Sequence, residues 1–137
     1  MWAKNTFTLG RADYQRQYEP ILYDWNADKP HYWCGDRDQS DVWEYNKPVR
    51  NDLHPTMKPV ELVERAINNS SKLGDIVLDG FGGSGSTIIA CEKNNRNASL
   101  MELDPKFCDV IIKRWEDYTG EKAVLAENNA ESSENDV

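Results

Sequence analysis

The apolar positions of the chain change character about a third of the way along. In the first fifty residues they are largely aromatic and irregularly spaced: Trp2, Phe7, Tyr14, Tyr18, Tyr23, Trp25, Tyr32, Trp33, Trp43 and Tyr45 all fall there. Within this stretch YEPILYDW, Tyr18 to Trp25, has the aromatic and β-branched content of a strand, and DVWEY, Asp41 to Tyr45, is a shorter one. The intervening NADKPHYWCGDRDQS is rich in turn formers and reads as a loop or loose hairpin.

From Pro59 a helical period takes over. Val60, Leu62, Val63, Ala66 and Ile67 fall close to i, i+3, i+4, i+7 spacing, with Pro59 in the first turn, where a missing N–H does no harm. KLGDIVLD then predicts a turn and a short apolar strand, Ile76 to Leu78, of the kind buried on both faces in a parallel sheet. Ser86 to Asn95 reads as a helix, and ASLMEL, Ala98 to Leu103, as a second strand. DPKFCDVIIKRWEDYTG reads as a second helix of this unit, with Asp104 as N-cap, Pro105 at its first position and Gly120 as C-cap. Strand, glycine loop, helix, strand and helix in that order predict one Rossmann-like α/β unit. The chain thus divides into an aromatic segment at 1–50, a strand-loop-helix unit at 51–120 and a tail at 121–137 that reads as disordered.

Composition bounds this picture. A length of 137 residues fits one domain with one small core. The formal net charge is −8, and beyond Thr119 the acids Glu121, Glu127, Glu131, Glu134 and Asp136 face only Lys122. That balance excludes a module that holds nucleic acid by a basic surface alone. Cys34, Cys91 and Cys108 are widely spaced with no C-x-x-C pair, which argues against a disulfide framework or a zinc site and for thiols in a reducing cytoplasm. His31 and Cys34 make at most half a metal site, so no metal is expected. No apolar run approaches the roughly 20 residues of a membrane span, and no signal-peptide core opens the sequence.

The candidate chemistry lies in VLDGFGGSGST, Val77 to Thr87, which satisfies G-x-G-x-x-G at Gly80, Gly82 and Gly85. A triphosphate loop needs a lysine after its last glycine, and here Gly85 is followed by Ser86 and Thr87. A dinucleotide site and an S-adenosylmethionine (SAM) site both want an acid at the end of the next strand for the ribose hydroxyls, and Glu102 stands there. Asp79 separates the two: its carboxylate beside the loop repels a pyrophosphate but accepts hydrogen bonds from the cationic amino-acid end of SAM. Glycine-rich turns also serve simply to let a helix pack closely on a strand, and the loop alone leaves that alternative open.

Three stretches together carry a resemblance. HPTMKPVELVERAI at His54 to Ile67, DIVLDGFGGSGST at Asp75 to Thr87 and LMELDPKFCDVIIKRWEDYTG at Leu100 to Gly120 resemble the β-class DNA amino-methyltransferases, which methylate N6 of adenine or N4 of cytosine. The resemblance covers roughly residues 1–122 in the family's permuted order, as the C-terminal portion of such an enzyme. It implies a Rossmann-like SAM-dependent methyltransferase fold with an incomplete sheet. His54, Pro55, Thr56 and Lys58 would line the pocket for the methionine end of SAM. Asp79, Phe81, Gly82, Gly83 and Ser84 would form the cofactor loop, and Glu102 would hold the ribose. WAKNTFTLGRADYQRQYEPILYDW resembles late catalytic-region strands, and the polar aromatic segment after it a short target-recognition region. DNA is the implied partner of the complete enzyme, in a restriction–modification or phage setting.

Two departures limit what is implied. The family loop usually reads D-P-F-x-G-S-G, and Gly80 replaces the proline, loosening the start of the loop. The family transfers its methyl group at an (Asp/Asn/Ser)-Pro-Pro-(Tyr/Phe/Trp) tetrad that holds a flipped base. All six prolines, Pro20, Pro30, Pro48, Pro55, Pro59 and Pro105, are isolated, so this chain is expected to contribute no catalytic residue. The alternative to an enzyme's cofactor-binding portion is an inactive fragment or interaction module that needs a partner chain carrying the tetrad. A missing catalytic strand would leave Ile76 to Leu78 with an open edge, which predicts a homo-oligomer or completion by the missing region. Outside the cofactor residues, Trp33 and Trp43 with Arg37 suit either base stacking or covering the sheet. Glu19 and Tyr18 fall near the base pocket by analogy, and Glu61, Glu64 and Arg65 read as the solvated face of their helix.

Overall fold

A computed structural model describes residues 1–48 and 57–126. Its elements are β1 (Trp2–Thr8), β2 (Arg16–Glu19), β3 (Trp43–Glu44), α1 (Val60–Ser70), β4 (Ile76–Asp79), α2 (Ser86–Lys93), β5 (Asn97–Leu100) and α3 (Pro105–Thr119). The tail beyond Ala126 and the start of the HPTMKP motif lie outside the described residues.

The second half forms where its local signals place it. Asp104 caps α3 by accepting from the Lys106 N–H at 2.9 Å, Pro105 opens the helix, and Gly120 ends it in a left-handed conformation at φ 77°. Its N–H donates to the Glu116 carbonyl at 2.8 Å, which satisfies one of the carbonyls a helix end leaves over. Pro59 lies one position earlier than expected, as the N-cap of α1. β4 and β5 run parallel, Ile76 beside Asn97 through Asp79 beside Leu100, joined by the α2 crossover.

The core of this unit is Ile67, Ala90 and Cys91, with Val60, Val63, Val77 and Ala98 packed against it. Burying a side chain such as Ile67 contributes about 1.5–3 kcal/mol. Only one face of the sheet is covered in this way. Ile76 and Leu78 are 75% and 70% exposed on the other face, contrary to the expectation of a strand buried on both sides. The reason is that the core helices α1 and α2 meet the sheet through Val77 and Ala98, on one side, and no described element covers the other. Nor does any described strand pair with the outer edge of β4.

The first half forms a separate sheet in the order β2-β1-β3, antiparallel between β1 and β2 and parallel between β1 and β3. The strand expected over Tyr18 to Trp25 stops at Glu19. Pro20 has no N–H to give a ladder, so the apolar run after it, Ile21 to Trp25, proceeds without strand pairing. Trp2, 2% exposed, anchors the sheet and donates its indole N–H to the Tyr45 carbonyl at 2.8 Å.

The two halves meet along α1. Asn69 is buried and exchanges two amide hydrogen bonds with Gln39, each 2.8 Å, while its carbonyl accepts from the Cys34 N–H at 2.8 Å. Arg65 donates to Gln39 and to the Ser40 carbonyl and lies over the Trp43 ring at 4.8 Å. Glu64 pairs with Lys93 at 2.6 Å. The expectation that Glu64 and Arg65 are merely solvated is therefore corrected: they tie α1 to its neighbours. Trp33 and Trp43 line a cavity of about 660 Å³ between residues 21–43 and the C-terminal half of α1. Among the described residues, no helix is long and apolar enough to cross a membrane.

Candidate functional site

The parallel strands β4 and β5 end side by side, and each delivers an acid to the same place. Asp79 is the last residue of β4, and Glu102 follows β5 by two positions. Between them the chain from Gly80 to Gly85 turns into α2, enclosing with Lys58 and Val63 a cavity of about 340 Å³. Its walls hold Lys58, Asp79, Phe81, Gly82, Gly83, Ser84 and Glu102, together with Val63, Ser86 and Thr87. The expected residues that the structure describes thus come together at one site. His54, Pro55 and Thr56 lie outside the described residues.

Both carboxylates fix the loop. Asp79 accepts from the Phe81 N–H at 2.9 Å through one oxygen and from the Thr87 hydroxyl at 2.6 Å through the other. Glu102 accepts from the Gly83 N–H at 2.7 Å, and its second oxygen accepts from the N–H groups of Leu103 and Asp104. Such charge-assisted bonds are about twice as strong as neutral ones, so the two acids hold the loop at its start, middle and end.

Glycine suits this path at several positions, Gly83 among them at φ 54°. The Gly82 N–H reaches the Met101 carbonyl at 2.8 Å, so close to α3 that a Cβ would lie 2.9 Å from Ile111 Cδ1. Gly85, the N-cap of α2, sits at φ 76°, where a side chain is strained, and a Cβ would meet Ile111 and Ile88 at 3.3 Å. The loop therefore serves close helix packing, the alternative that its sequence left open.

Arg114 of α3 escaped the sequence reading. It donates to the Ser84 carbonyl at 2.8 Å and lies within 3.7 Å of Met57 Sδ, joining the two chain segments that form the cavity. Burial alone pushes its guanidinium below the ordinary arginine range. The available signal was its position three residues after the buried Ile111, a base on the apolar stripe of α3. Ser86 escaped too: its hydroxyl donates to the Lys58 carbonyl at 2.8 Å.

Lys58 lines the cavity with its ammonium paired to Glu19, and the other charged side chains of the lining are the carboxylates Asp79 and Glu102. This arrangement accepts hydrogen bonds from hydroxyls and an ammonium and disfavours a phosphate chain. Glu19, expected near a base pocket by analogy, holds Lys4 at 2.6 Å and Lys58.

Comparison with known proteins bears on the same elements. Residues 2–114 match the model of a DNA methylase family of the N6/N4 type. The chain is 34% identical over 97 residues to the type II methyltransferase M.Cfr9I of Citrobacter freundii, covering 70% of this chain and 32% of that enzyme. It is 32% identical over 108 residues to M2.MboI of Moraxella bovis, covering 76% and 40%. The M1.HpyAVI–SAM complex superposes with a TM-score of 0.65 at 26% identity, over 82% of this chain and 58% of that one. The chain thus spans about a third of the length of the curated relatives. Since the match runs from β1 into α3 and takes in both acids and the glycine loop, the chain belongs to the N6/N4 DNA methylase family.

Proposed function

We propose that this chain is the SAM-binding part of a DNA methyltransferase that methylates the exocyclic amine of adenine at N6 or of cytosine at N4. The observation that carries the reading is the pair of carboxylates, Asp79 and Glu102, at the ends of adjacent parallel strands around one glycine-lined cavity. Asp79 would accept from the ammonium of the cofactor's methionine end, and Glu102 from the ribose hydroxyls. Phe81, 92% exposed and part of the lining, would cover an apolar part of the ligand, with Gly82, Gly83 and Ser84 beside it. His54, Pro55, Thr56 and Lys58 would complete the wall. SAM supplies an electrophilic methyl group that an amine attacks directly, so the protein's contribution is position and electrostatics.

The base-holding tetrad is supplied by polypeptide outside these 137 residues, in the same chain or a partner. The edge of β4 that no described strand pairs, with the exposed Ile76 and Leu78, is where that polypeptide would complete the sheet. DNA is the substrate of that completed enzyme, which would work in the cytoplasm.

Calorimetric titration of the purified chain with SAM, its demethylated product and NAD tests the reading. SAM and its product should bind, and Asp79→Ala and Glu102→Ala should each weaken them at least tenfold, the equivalent of about 1.4 kcal/mol. Binding of NAD alone would overturn it.

A further inference from the structure

We infer that Glu19 is a positioning residue for the cofactor pocket, holding Lys58, which forms part of its wall. The inference rests on the SAM-binding reading of that pocket. Lys58 is where the first half of the chain reaches the site. Its carbonyl is fixed by the Ser86 hydroxyl at the first residue of α2, while its ammonium crosses to Glu19 at the end of β2. Lys58 is thus clamped on one side by the glycine-loop helix and on the other by the N-terminal sheet.

The sheet end of the clamp is stiff. Lys4, whose side chain is 8% exposed, pairs with the same carboxylate at 2.6 Å. The Trp2 ring takes both ammonium groups, Lys4 at 4.9 Å and Lys58 at 5.4 Å from its centroid. A lysine as buried as Lys4 needs a counter-charge, so Glu19 cannot swing to solvent without leaving that charge unpaired. Its geometry is therefore set by Lys4 and Trp2, and it transmits that geometry to Lys58. Burial raises the Glu19 carboxyl, but the hydrogen bonds and charges of Lys4 and Lys58 outweigh it and leave it below its ordinary 4.5. A depressed carboxyl contributes its stabilisation above the ordinary value and loses it as pH falls through the folded one, so assays at neutral pH read the intact network.

The test is SAM affinity by calorimetry on the whole chain for wild type, Glu19→Gln, Lys58→Gln and the double variant, with a thermal midpoint for each. Each single variant should weaken SAM by about five- to tenfold, the low end of coupling between sites, and the double variant should be no weaker than either. Glu19→Asp, which keeps the charge, should recover part of the loss. Wild-type affinity in a folded Glu19→Gln chain would overturn the inference, as would additive losses in the double variant. If Glu19→Gln does not fold, Lys58→Gln decides: its side chain is 45% exposed, and removing it leaves Glu19 paired with Lys4. Unchanged affinity in that variant overturns the inference, as does a loss that Lys58→Arg, which keeps the charge for Glu19, leaves unrecovered; a five- to tenfold loss that Lys58→Arg recovers supports it. A wild-type chain that binds no SAM would instead refute the reading on which the inference stands.

Discussion

Between Pro59 and Gly120 the caps of α3 and the start of the glycine loop are set by residues a few positions away; between Met1 and Pro48 the important partners lie far off in sequence. Asp104 caps the helix that begins at the next residue, and Asp79 anchors the loop through Phe81 and Thr87. By contrast, the Trp2 indole reaches Tyr45 across a separation of 43 residues, and Gln39 meets Asn69 across 30. Local contacts cost little loop-closure entropy, whereas distant ones must be repaid by burial and by several bonds made together. The cofactor-side unit should accordingly keep its secondary structure when the aromatic half is damaged.

The strongest way to break that contrast is Trp2→Ala. Truncating a tryptophan that is only 2% exposed and removing its hydrogen bond should cost about 3–5 kcal/mol. All of the described helices lie between Val60 and Thr119, so far-UV helical signal reports the cofactor side. It should persist in the variant while the fluorescence of the tryptophans in the first half changes. Loss of both signals in one transition would mean that the interface along α1 makes the chain a single cooperative unit.

The same contrast explains what could be read from the sequence. α3 was legible to its caps, and the glycine loop to its flanking acids, because each depends on its own side chains and on φ preferences near them. The end of β2 was misplaced because apolar content alone carried the expected strand past Pro20, where the ladder loses a donor. The roles of Arg65, Glu19 and Arg114 were not legible: each depends on partners brought near by tertiary packing, Trp43, Lys4 and Ser84 respectively. The exposed face of β4 was missed for a related reason, since an apolar run records the burial a strand is suited to and not which neighbours are present to supply it.

A sharper test lies inside the loop, where Gly82 needs its hydrogen side chain for a contact with α3. Gly82→Val would push a branched side chain against Ile111 Cδ1, which a Cβ alone would approach to 2.9 Å. Overpacking of this kind costs about 1–3 kcal/mol. Chemical denaturation should register the loss, and SAM affinity should fall further than stability does, because the displaced loop forms the cavity itself. Equal stability of the variant and wild type would mean that α3 yields at this point.

Gly80 should behave in the opposite sense. It is absent from the left-handed glycines, and a Cβ there would meet only Met101 Cε, at an ordinary 3.7 Å. Gly80→Ala therefore restricts the unfolded chain without straining the folded one, and should stabilise the protein by about 0.4–1 kcal/mol. If the glycine loosens the start of the loop, as the departure from the family pattern implies, the alanine variant should also bind SAM somewhat more tightly, because less ordering remains to be done on binding. A rise in the denaturation midpoint without a change in affinity would place the loop's order in Asp79 and Glu102, whose bonds to Phe81, Thr87 and Gly83 already hold it on both sides. A fall in both would mean that the backbone at Gly80 uses a conformation that alanine cannot share.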